Sequence, residues 1–317
     1  MAWGFGRGFS PLFPAFHVTD TQKFWATRPR CGLIESDYQR DMGHMRTEMD
    51  ESEAIDFIIG LVYERCRVRL HDGKQHLIRA RLGKRLRQLK IDSLTEYCEW
   101  LRHSKDEDEI TQVVDALTTN FTNFLREEDH FRFLVGQALP AVLAKGQRSF
   151  QVWSAACASG EEPYSLAFYL AEHYPIAGGW DWHILATDVS TKALDKARQG
   201  IYPADRLTSI SPEWLRRYFQ RGHDQWEGHC RIKPSLAERI TFQHLNLLGR
   251  YEFPERFEVI FCRNVMIYFD RPTQEQLVRH LTQCLTPKGF LLVGHAESLT
   301  GLQVPVRCRK PSIYQKD

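Results

Sequence analysis

The sequence lacks the features that mark membrane-spanning, exported and metal-binding proteins. No stretch approaches the ~18 consecutive apolar residues that a bilayer requires, and the N-terminus has no apolar run of a signal peptide. The eight cysteines form no CxxC pair and no His/Cys group at metal-ligand spacing. We therefore expect reduced thiols, no metal site, no insertion into a membrane, and a soluble, cytoplasmic protein.

The sequence also lacks an excess of charge of either sign. Its 42 Lys and Arg residues balance 40 Asp and Glu residues, which leaves a formal net charge of +2. This balance gives no argument for nucleic acid as a partner of the whole chain. With 317 residues, 43% of them hydrophobic, the chain can form a buried core and has room for about two domains of ~150 residues.

The first 50 residues show no regular spacing of apolar residues. Gly, Pro and aromatic residues are mixed there, so we expect an irregular N-terminal extension over residues 1–50. Met42, Met45 and Met49 allow a further hypothesis, in which translation starts at one of them and residues 1–41 are absent from the native protein. An intact-mass measurement that found residues 1–41 would contradict it.

Two patterns divide the rest of the chain. Residues 51–117 repeat apolar residues every three or four positions, as in "EAIDFIIGLV", which predicts an N-terminal helical domain. In residues 118–317, short apolar runs such as "SFQVWSAA" and "FEVIFCRN" alternate with helical stretches, which predicts an α/β domain with a mostly parallel sheet. Residues 203–240 interrupt this alternation and predict an inserted helix and β-hairpin.

The turn after the first predicted strand carries unusual residues for a ligand-binding turn. It reads "SAACASGEEPYS", with one glycine, no lysine and two adjacent acids. Ser159 and Glu162 have the S-x-x-E spacing of a capping box, which is the role we expect for Glu162. Glu161 is then left without a structural role, and its carboxylate repels phosphate but attracts an ammonium or a sulfonium. A nucleoside with a positive charge, such as S-adenosylmethionine, fits this turn.

Polar residues follow the later predicted strands at their carboxyl ends, where open parallel sheets bind ligands. Asp188 ends "ILATD", about 30 residues after the turn, where an acid can accept both hydroxyls of a ribose. It or Ser190 could equally cap the following helix, and its position alone does not decide between the two roles.

The last predicted strand end of this kind is "CRNVMIYFD". Arg263 and Asn264 lie inside an apolar run, so they need polar partners if they are buried. Tyr268 could place a hydroxyl at the same edge.

Arg126 lies in "TTNFTNFLRE", before the first predicted strand. It could hold a carboxylate with two hydrogen bonds. It could equally form a surface ion pair with Glu127, Glu128 or Asp129, and the local sequence alone favours that pair.

A basic run precedes this region, with seven Lys and Arg residues and no acid between Gly73 and Ile91. A charged run is usually a solvated helix face, but an unbalanced one more often indicates an acidic partner. The basic residues are Lys74, Arg79, Arg81, Lys84, Arg85, Arg87 and Lys90.

Six stretches together resemble the chemotaxis receptor methyltransferases of the CheR family. They are, in order, "ALTTNFTNFLRE", "VWSAACASGEEPYSLA", "ATDVSTKALDKARQGIY", "LNLL", "FCRNVMIYFD" and "GFLLVGHAES". The resemblance covers residues 52–305. It implies an N-terminal helical domain and a Rossmann-like α/β domain that uses S-adenosylmethionine, with a small inserted β-subdomain. The implied activity is methylation of glutamate side chains on the cytoplasmic helices of transmembrane chemoreceptors, which gives glutamate methyl esters.

The resemblance also implies roles for particular residues. Arg126 and Tyr268 would face the reacting centre. The 203–240 insert matches a β-subdomain that, in part of the family, docks on a peptide at the receptor's C-terminus by adding a strand to its sheet. Leu125, Cys157 and Ala296 depart from the family pattern and concern only the shape of the pocket. The cofactor site would consist of Asn120, Thr122, Arg126, Glu161, Asp188, Asn246, Leu247, Arg263 and Asn264.

This activity needs little acid–base chemistry. A glutamate carboxylate is ionised at pH 7 and a sulfonium is an activated methyl donor, so catalysis should consist mostly of alignment, with Arg126 orienting the carboxylate. One alternative is methylation of RNA, but the sequence has no N-P-P-[YF] tetrapeptide and no evident aromatic platform for bases. Another is a non-catalytic module that senses the cofactor or docks on receptors. We expect the enzyme, as a monomer.

Overall fold

The computed structural model describes residues 49–70 and 75–317. Residues 1–48 of the predicted irregular extension therefore lie outside the described residues, and so does Lys74 of the basic run. The hypothesis about Met42 and Met45 lies outside them as well. Across the two described ranges, every helix is too short or too polar to cross a bilayer.

A bundle of helices opens the described chain. Its members are α1 (Glu51–Cys66), α2 (Gln75–Leu89), α3 (Leu94–Ser104) and α4 (Glu107–Leu117). α1 begins at a capping box between Asp50 and Glu53, and the Ser93 hydroxyl accepts a hydrogen bond from the Glu96 backbone at the start of α3. The apolar faces of all four helices meet in one core, which holds Ile55 among its buried residues.

The second part of the chain alternates strands and helices. A seven-stranded sheet has the strand order β6-β2-β1-β7-β8-β10-β9. The strands from β6 to β8 pair in parallel, whereas β10 pairs antiparallel with both β8 and β9. The strands are β1 (Ser149–Ala155), β2 (Asp181–Asp188), β3 (Ile201–Pro203), β4 (Phe219–Arg221), β5 (His229–Ile232), β6 (Ile240–His244), β7 (Phe257–Cys262), β8 (Leu285–Leu292), β9 (Val306–Lys310) and β10 (Ile313–Lys316).

Helices cover both faces of this sheet. Val152 and Trp153 are adjacent in β1, and because neighbouring side chains of a strand point to opposite faces, they belong to two different cores. Leu166 shares the first core and Leu281 the second. The helices after the bundle are α5 (Asp129–Phe133), which continues through a π-helical turn (Leu134–Ala138) into α6 (Leu139–Val142), then α7 (Glu161–His173), α8 (Thr191–Gln199), α9 (Pro212–Tyr218), α10 (Pro234–Ala237) and α11 (Arg271–Cys284).

The insert forms its own small sheet. β3, β5 and β4 pair antiparallel in that order, and β4 and β5 form the hairpin that the sequence predicts. α9 is the predicted helix, with Ser211 as its N-cap. The α/β architecture predicted from the sequence, with a helical bundle before it and a small β-sheet inserted in it, is therefore confirmed.

The C-terminal hairpin was not predicted. β9 is an edge strand with four exposed residues, Arg307 to Lys310, so it lacks the apolar alternation that identifies a strand in a sequence. β8 also begins earlier than its apolar run, at Leu285.

Candidate functional site

A pocket lies at the carboxyl ends of the parallel strands, between the sheet and the helical bundle. It is partly open to solvent, and its lining combines apolar side chains with a few polar groups, as is usual for ligand sites. Its lining comes from the end of the bundle, the turn after β1, and the segments that follow β2, β6 and β7. The polar lining residues are Thr118, Thr119, Asn120, Thr122, Asn123, Arg126, Glu162, Asp188, Asn246, Arg263, Asn264 and Tyr268.

The turn after β1 follows an unusual backbone path. Ala156 and Ala158 have φ values of 68° and 48°, and Gly160 has a φ of 95°. A Cβ on Gly160 would lie 2.8 Å from the Ala197 Cβ and 2.9 Å from the Tyr202 hydroxyl, so only glycine fits. The turn's single glycine therefore serves close packing against α8 and the insert, and not a phosphate.

The capping box predicted for this turn is wrong. α7 has Gly160 as its N-cap, with no side-chain hydrogen bond to the cap. The Ser159 hydroxyl instead donates to Glu161 Oε2 at 2.7 Å, and Arg206 forms an ion pair with Glu161 Oε1 at 2.9 Å. Glu161 is buried by these partners, so it does have a structural role, and it is not among the residues that line the pocket.

Glu162 lines the pocket in place of Glu161. It accepts a hydrogen bond from the Ser154 hydroxyl at 2.7 Å and forms an ion pair with Arg263 at 3.2 Å. Burial raises the pKa of Glu162, and the positive charge of Arg263 opposes that rise. The side chains of consecutive helix residues point about 100° apart. Because α7 has Gly160 as its N-cap and not the predicted Ser159, Glu162 points into the pocket and Glu161 does not.

Asp188 lies in the pocket at the end of β2. Its Oδ2 accepts a hydrogen bond from the Ala158 backbone and its Oδ1 accepts one from the Ser190 backbone, both at 2.8 Å. Burial raises the pKa of Asp188 to about 6, although these backbone hydrogen bonds lower it. The helix cap of α8 is Ser190, whose hydroxyl accepts from the Ala193 backbone. The alternative that the sequence left open is thus decided in favour of Ser190 as the cap.

Asn120, Thr122 and Arg126 lie on the loop that joins the bundle to α5, and all three line the pocket. The Arg126 guanidinium donates a hydrogen bond to the Phe121 carbonyl at 3.4 Å, and no carboxylate among the described residues forms an ion pair with it. The three acids that the sequence offers as surface partners contact other side chains. Glu127 pairs with Arg263, Glu128 with Arg132 and Asp129 with His295.

Arg263 is buried at the pocket, and all three nitrogens of its guanidinium donate hydrogen bonds. It pairs with Glu127 Oε2 at 3.0 Å and with Glu162 Oε2 at 3.2 Å, and it donates to the Arg126 carbonyl. Its carbon Cζ lies 5.4 Å from the centre of the Phe131 ring. Arg263 therefore fixes the Arg126 loop and the Glu162 side chain relative to each other.

Asn264 adopts a left-handed backbone conformation, with a φ of 57°. Its side chain donates to Glu127 Oε1 at 3.2 Å. Its backbone N–H donates to Glu297 Oε2 at 2.8 Å, and Glu297 also accepts from the Gly294 backbone at 2.6 Å and the Ile267 backbone at 3.2 Å. Glu297 thus holds the segment that carries Asn264 and Tyr268. It lies in the motif "GHAES", but the motif alone does not indicate this role.

Asn246, Leu247 and Tyr268 complete the predicted residues at the pocket. The Asn246 amide donates to the Arg65 carbonyl at 2.6 Å, and the Tyr268 carbonyl accepts from the Arg69 backbone at 3.0 Å. The bundle is therefore bonded directly to two segments of the pocket. Of the sequence-predicted site residues, only Glu161 lies outside the lining.

One group of side chains has the composition of a metal site. Potential ligand atoms of Glu127, His130 and His295 lie within 4.8 Å of one another. Both Glu127 oxygens already accept hydrogen bonds, from Arg263 and Asn264. Burial alone would raise the pKa of Glu127, but the charge of Arg263 and these hydrogen bonds lower it. Because Arg263 supplies the positive charge there, we assign no metal to this group.

Comparison with known proteins agrees with this fold and this pocket. The family model described as "CheR methyltransferase, SAM binding domain" matches residues 120–314, and "CheR methyltransferase, all-alpha domain" matches residues 53–118. The chain is therefore an enzyme of the methyltransferase class that uses S-adenosylmethionine. More particularly, it belongs to the CheR methyltransferase family.

Curated relatives support the same assignment. A chemotaxis protein methyltransferase of Salmonella typhimurium is 40% identical over 81% of this chain and 88% of its own length. Those of Escherichia coli and Borreliella burgdorferi are 39% and 36% identical, over 80% and 82% of this chain and 87% and 93% of their own lengths.

Proposed function

We propose that the chain transfers a methyl group to glutamate side-chain carboxylates on the cytoplasmic helices of chemoreceptors, giving glutamate methyl esters, and that it acts in the cytoplasm as a monomer. The observation that carries this proposal is Arg126, a cation at the pocket with no carboxylate partner among the described residues. The names of the curated relatives, chemotaxis protein methyltransferases, support the class of substrate.

The pocket residues fit S-adenosylmethionine, whose sulfonium supplies an activated methyl group. Each Asp188 oxygen accepts one backbone N–H, which leaves lone pairs for the two hydroxyls of a ribose. Glu162 offers a carboxylate to the ammonium of the amino-acid end. The proposed cofactor site contains these two acids together with Asn120, Thr122, Arg126, Asn246, Leu247, Arg263 and Asn264.

Not all of these residues contact the cofactor in the same way. Because the Arg263 guanidinium is occupied by Glu127, Glu162 and the Arg126 carbonyl, we propose that it acts by positioning them. Asn264 is bonded to Glu127 in the same network.

The accepting carboxylate needs no general base, because it is ionised at pH 7. Arg126 would orient it toward the methyl group, and Tyr268 would help to hold it from the other segment of the pocket. An arginine that fully neutralised the carboxylate would stabilise the ground state, so Arg126 must place the nucleophile without binding it too tightly.

Replacing Arg126 tests this role. We expect Arg126→Ala to lower the turnover of receptor methylation at saturating cofactor by about 100-fold, because alignment supplies most of the rate. Cofactor affinity should fall much less, by no more than about tenfold, because Arg126 is only one of several residues at the cofactor site. Methylation of receptor-containing membranes and calorimetric titration of the cofactor measure the two quantities. Arg132→Ala is the matched control, since Arg132 is an exposed arginine of the adjacent helix that pairs with Glu128. A loss of cofactor binding without a loss of turnover at saturating cofactor would reassign Arg126 to the cofactor.

The insert is the proposed site for a receptor's C-terminal tail. β3 and β4 are the two edges of its three-stranded sheet, and an edge strand can accept a further strand. Binding to receptor membranes that did not change after removal of the receptor's last residues would contradict this part of the proposal.

A further inference from the structure

Exposed large apolar side chains are few in the described chain; one of them lines the pocket, and another directly precedes a lining residue in the sequence. The exposed residues are Phe121, Ile176, Trp226 and Ile267. Phe121 is 69% exposed and also belongs to the pocket lining. Ile267 is 47% exposed and directly precedes Tyr268, another lining residue. We call Phe121 and Ile267 the apolar rim.

Both rim residues lie on segments that the structure holds in place. The Ile267 backbone donates to Glu297, and the following tyrosine's carbonyl accepts from Arg69. The Phe121 carbonyl accepts from Arg126, and the next carbonyl, of Thr122, accepts from Arg206 at 2.6 Å. The rim side chains are therefore exposed on a fixed backbone. Because that backbone is already ordered, covering the side chains with a partner costs little conformational entropy.

The rim is poorly placed to serve the cofactor alone. A small-molecule site encloses most of the surface of its ligand. More than two thirds of the Phe121 side chain is instead open to solvent, so most of its ring is available to a larger partner. A polypeptide differs from a small molecule because it must approach from outside the pocket. A glutamate side chain is short, so the helix that carries the accepting carboxylate must lie against the mouth of the pocket, and its residues three and four positions away lie only about 5–6 Å from the glutamate.

We propose that the apolar rim binds the substrate polypeptide, by contacting apolar side chains that flank the accepting glutamate on its helix. This inference rests on the proposed function and adds to it the chemistry of the residues around the methylated glutamate. A rim of this kind selects glutamates with an apolar neighbour one helical turn away over glutamates with only charged neighbours.

The test compares rim variants with a variant of another exposed apolar residue, outside the pocket lining. We expect Phe121→Ala/Ile267→Ala to lower kcat/KM for receptor-containing membranes by about tenfold, mainly through KM, because two large apolar side chains no longer become buried on binding. Cofactor affinity, measured by calorimetry, should stay within about twofold. Ile176→Ala, at an exposed apolar residue outside the pocket and the insert, is the control and should leave kcat/KM unchanged. Phe121→Leu should retain most of the wild-type value.

Each other outcome overturns the inference. An unchanged KM in the double variant means that the rim does not contact the substrate. A weaker cofactor affinity that accounts for the whole loss assigns Phe121 to the cofactor. An equal loss in Ile176→Ala makes the effect nonspecific. The wild-type protein tests the proposed function separately. If it forms no base-labile methyl esters on the receptor, the proposed function is wrong, whatever the rim variants do.

Discussion

At the scale of single residues, the two adjacent acids of the turn after β1 show how one position of helix start decides function. The S-x-x-E spacing assigned Glu162 to a cap and left Glu161 for the ligand, but the left-handed Gly160 begins α7 one residue later. Glu161 therefore turns toward Arg206, and Glu162 enters the pocket. The attraction for a positively charged ligand that the sequence suggests for Glu161 therefore applies to Glu162.

The pair offers a test with a built-in control. We expect Glu162→Gln to weaken cofactor affinity by about 10- to 100-fold, since it removes the charge that would meet the ammonium. Glu161→Gln should leave cofactor affinity unchanged and lower the free energy of unfolding by about 1–2 kcal/mol, because Arg206 loses a buried partner. Calorimetry and urea denaturation measure the two effects. If Glu161→Gln weakened cofactor affinity and Glu162→Gln did not, Glu161 would belong to the cofactor site.

At the scale of elements, the sequence predicted the parts of the sheet that are buried and missed the parts that are not. β1, β2 and β7 are largely apolar and mostly buried because helices cover both faces, and the residues at the ends of β2 and β7, which are Asp188, Arg263 and Asn264, line the pocket. The exposed edge strand β9 gave no such signal. Contacts between distant segments could not be predicted from the sequence either. Glu297 bonds to backbone groups about 30 residues earlier, and only the folded chain brings them together.

Replacing Glu297 should loosen the segment that carries Tyr268. We expect Glu297→Gln to lower the free energy of unfolding by about 1–3 kcal/mol for each backbone N–H left without an acceptor. Turnover should fall as well, because Asn264 and Tyr268 lose their fixed positions. Glu64→Gln, at an exposed position of α1, is the matched control and should change neither quantity appreciably. If urea denaturation found the two variants equally stable, Glu297 would not support this segment.

At the scale of the whole molecule, the helical bundle forms one wall of the pocket and also carries the basic run. Arg81 donates to the carbonyls of Leu117 and Thr118 at the end of α4, and Arg85 pairs with the buried Glu109. These two arginines therefore stabilise the bundle, and reversing their charge would damage the fold. Lys84 and Arg87 are exposed on α2 and remain available to an acidic partner.

The charge of this surface should matter for the receptor and not for the cofactor. We expect Lys84→Glu/Arg87→Glu to lower receptor methylation at low salt by about tenfold, with the difference from wild type shrinking as salt screens the charges. Cofactor affinity and the melting temperature should not change. Methylation rates over a series of salt concentrations provide the measurement, and equal rates for variant and wild type at low salt would remove this surface from the receptor interface.

The central claim is that this chain forms methyl esters on receptor glutamates. The most direct measurement incubates it with S-adenosylmethionine labelled in the methyl group and with receptor-containing membranes, and then treats the receptor band with mild alkali. We predict label on the receptor that alkali releases as methanol, and no label on a receptor whose accepting glutamates are replaced by alanine. Alkali-stable label, or label that persists without those glutamates, would contradict the account.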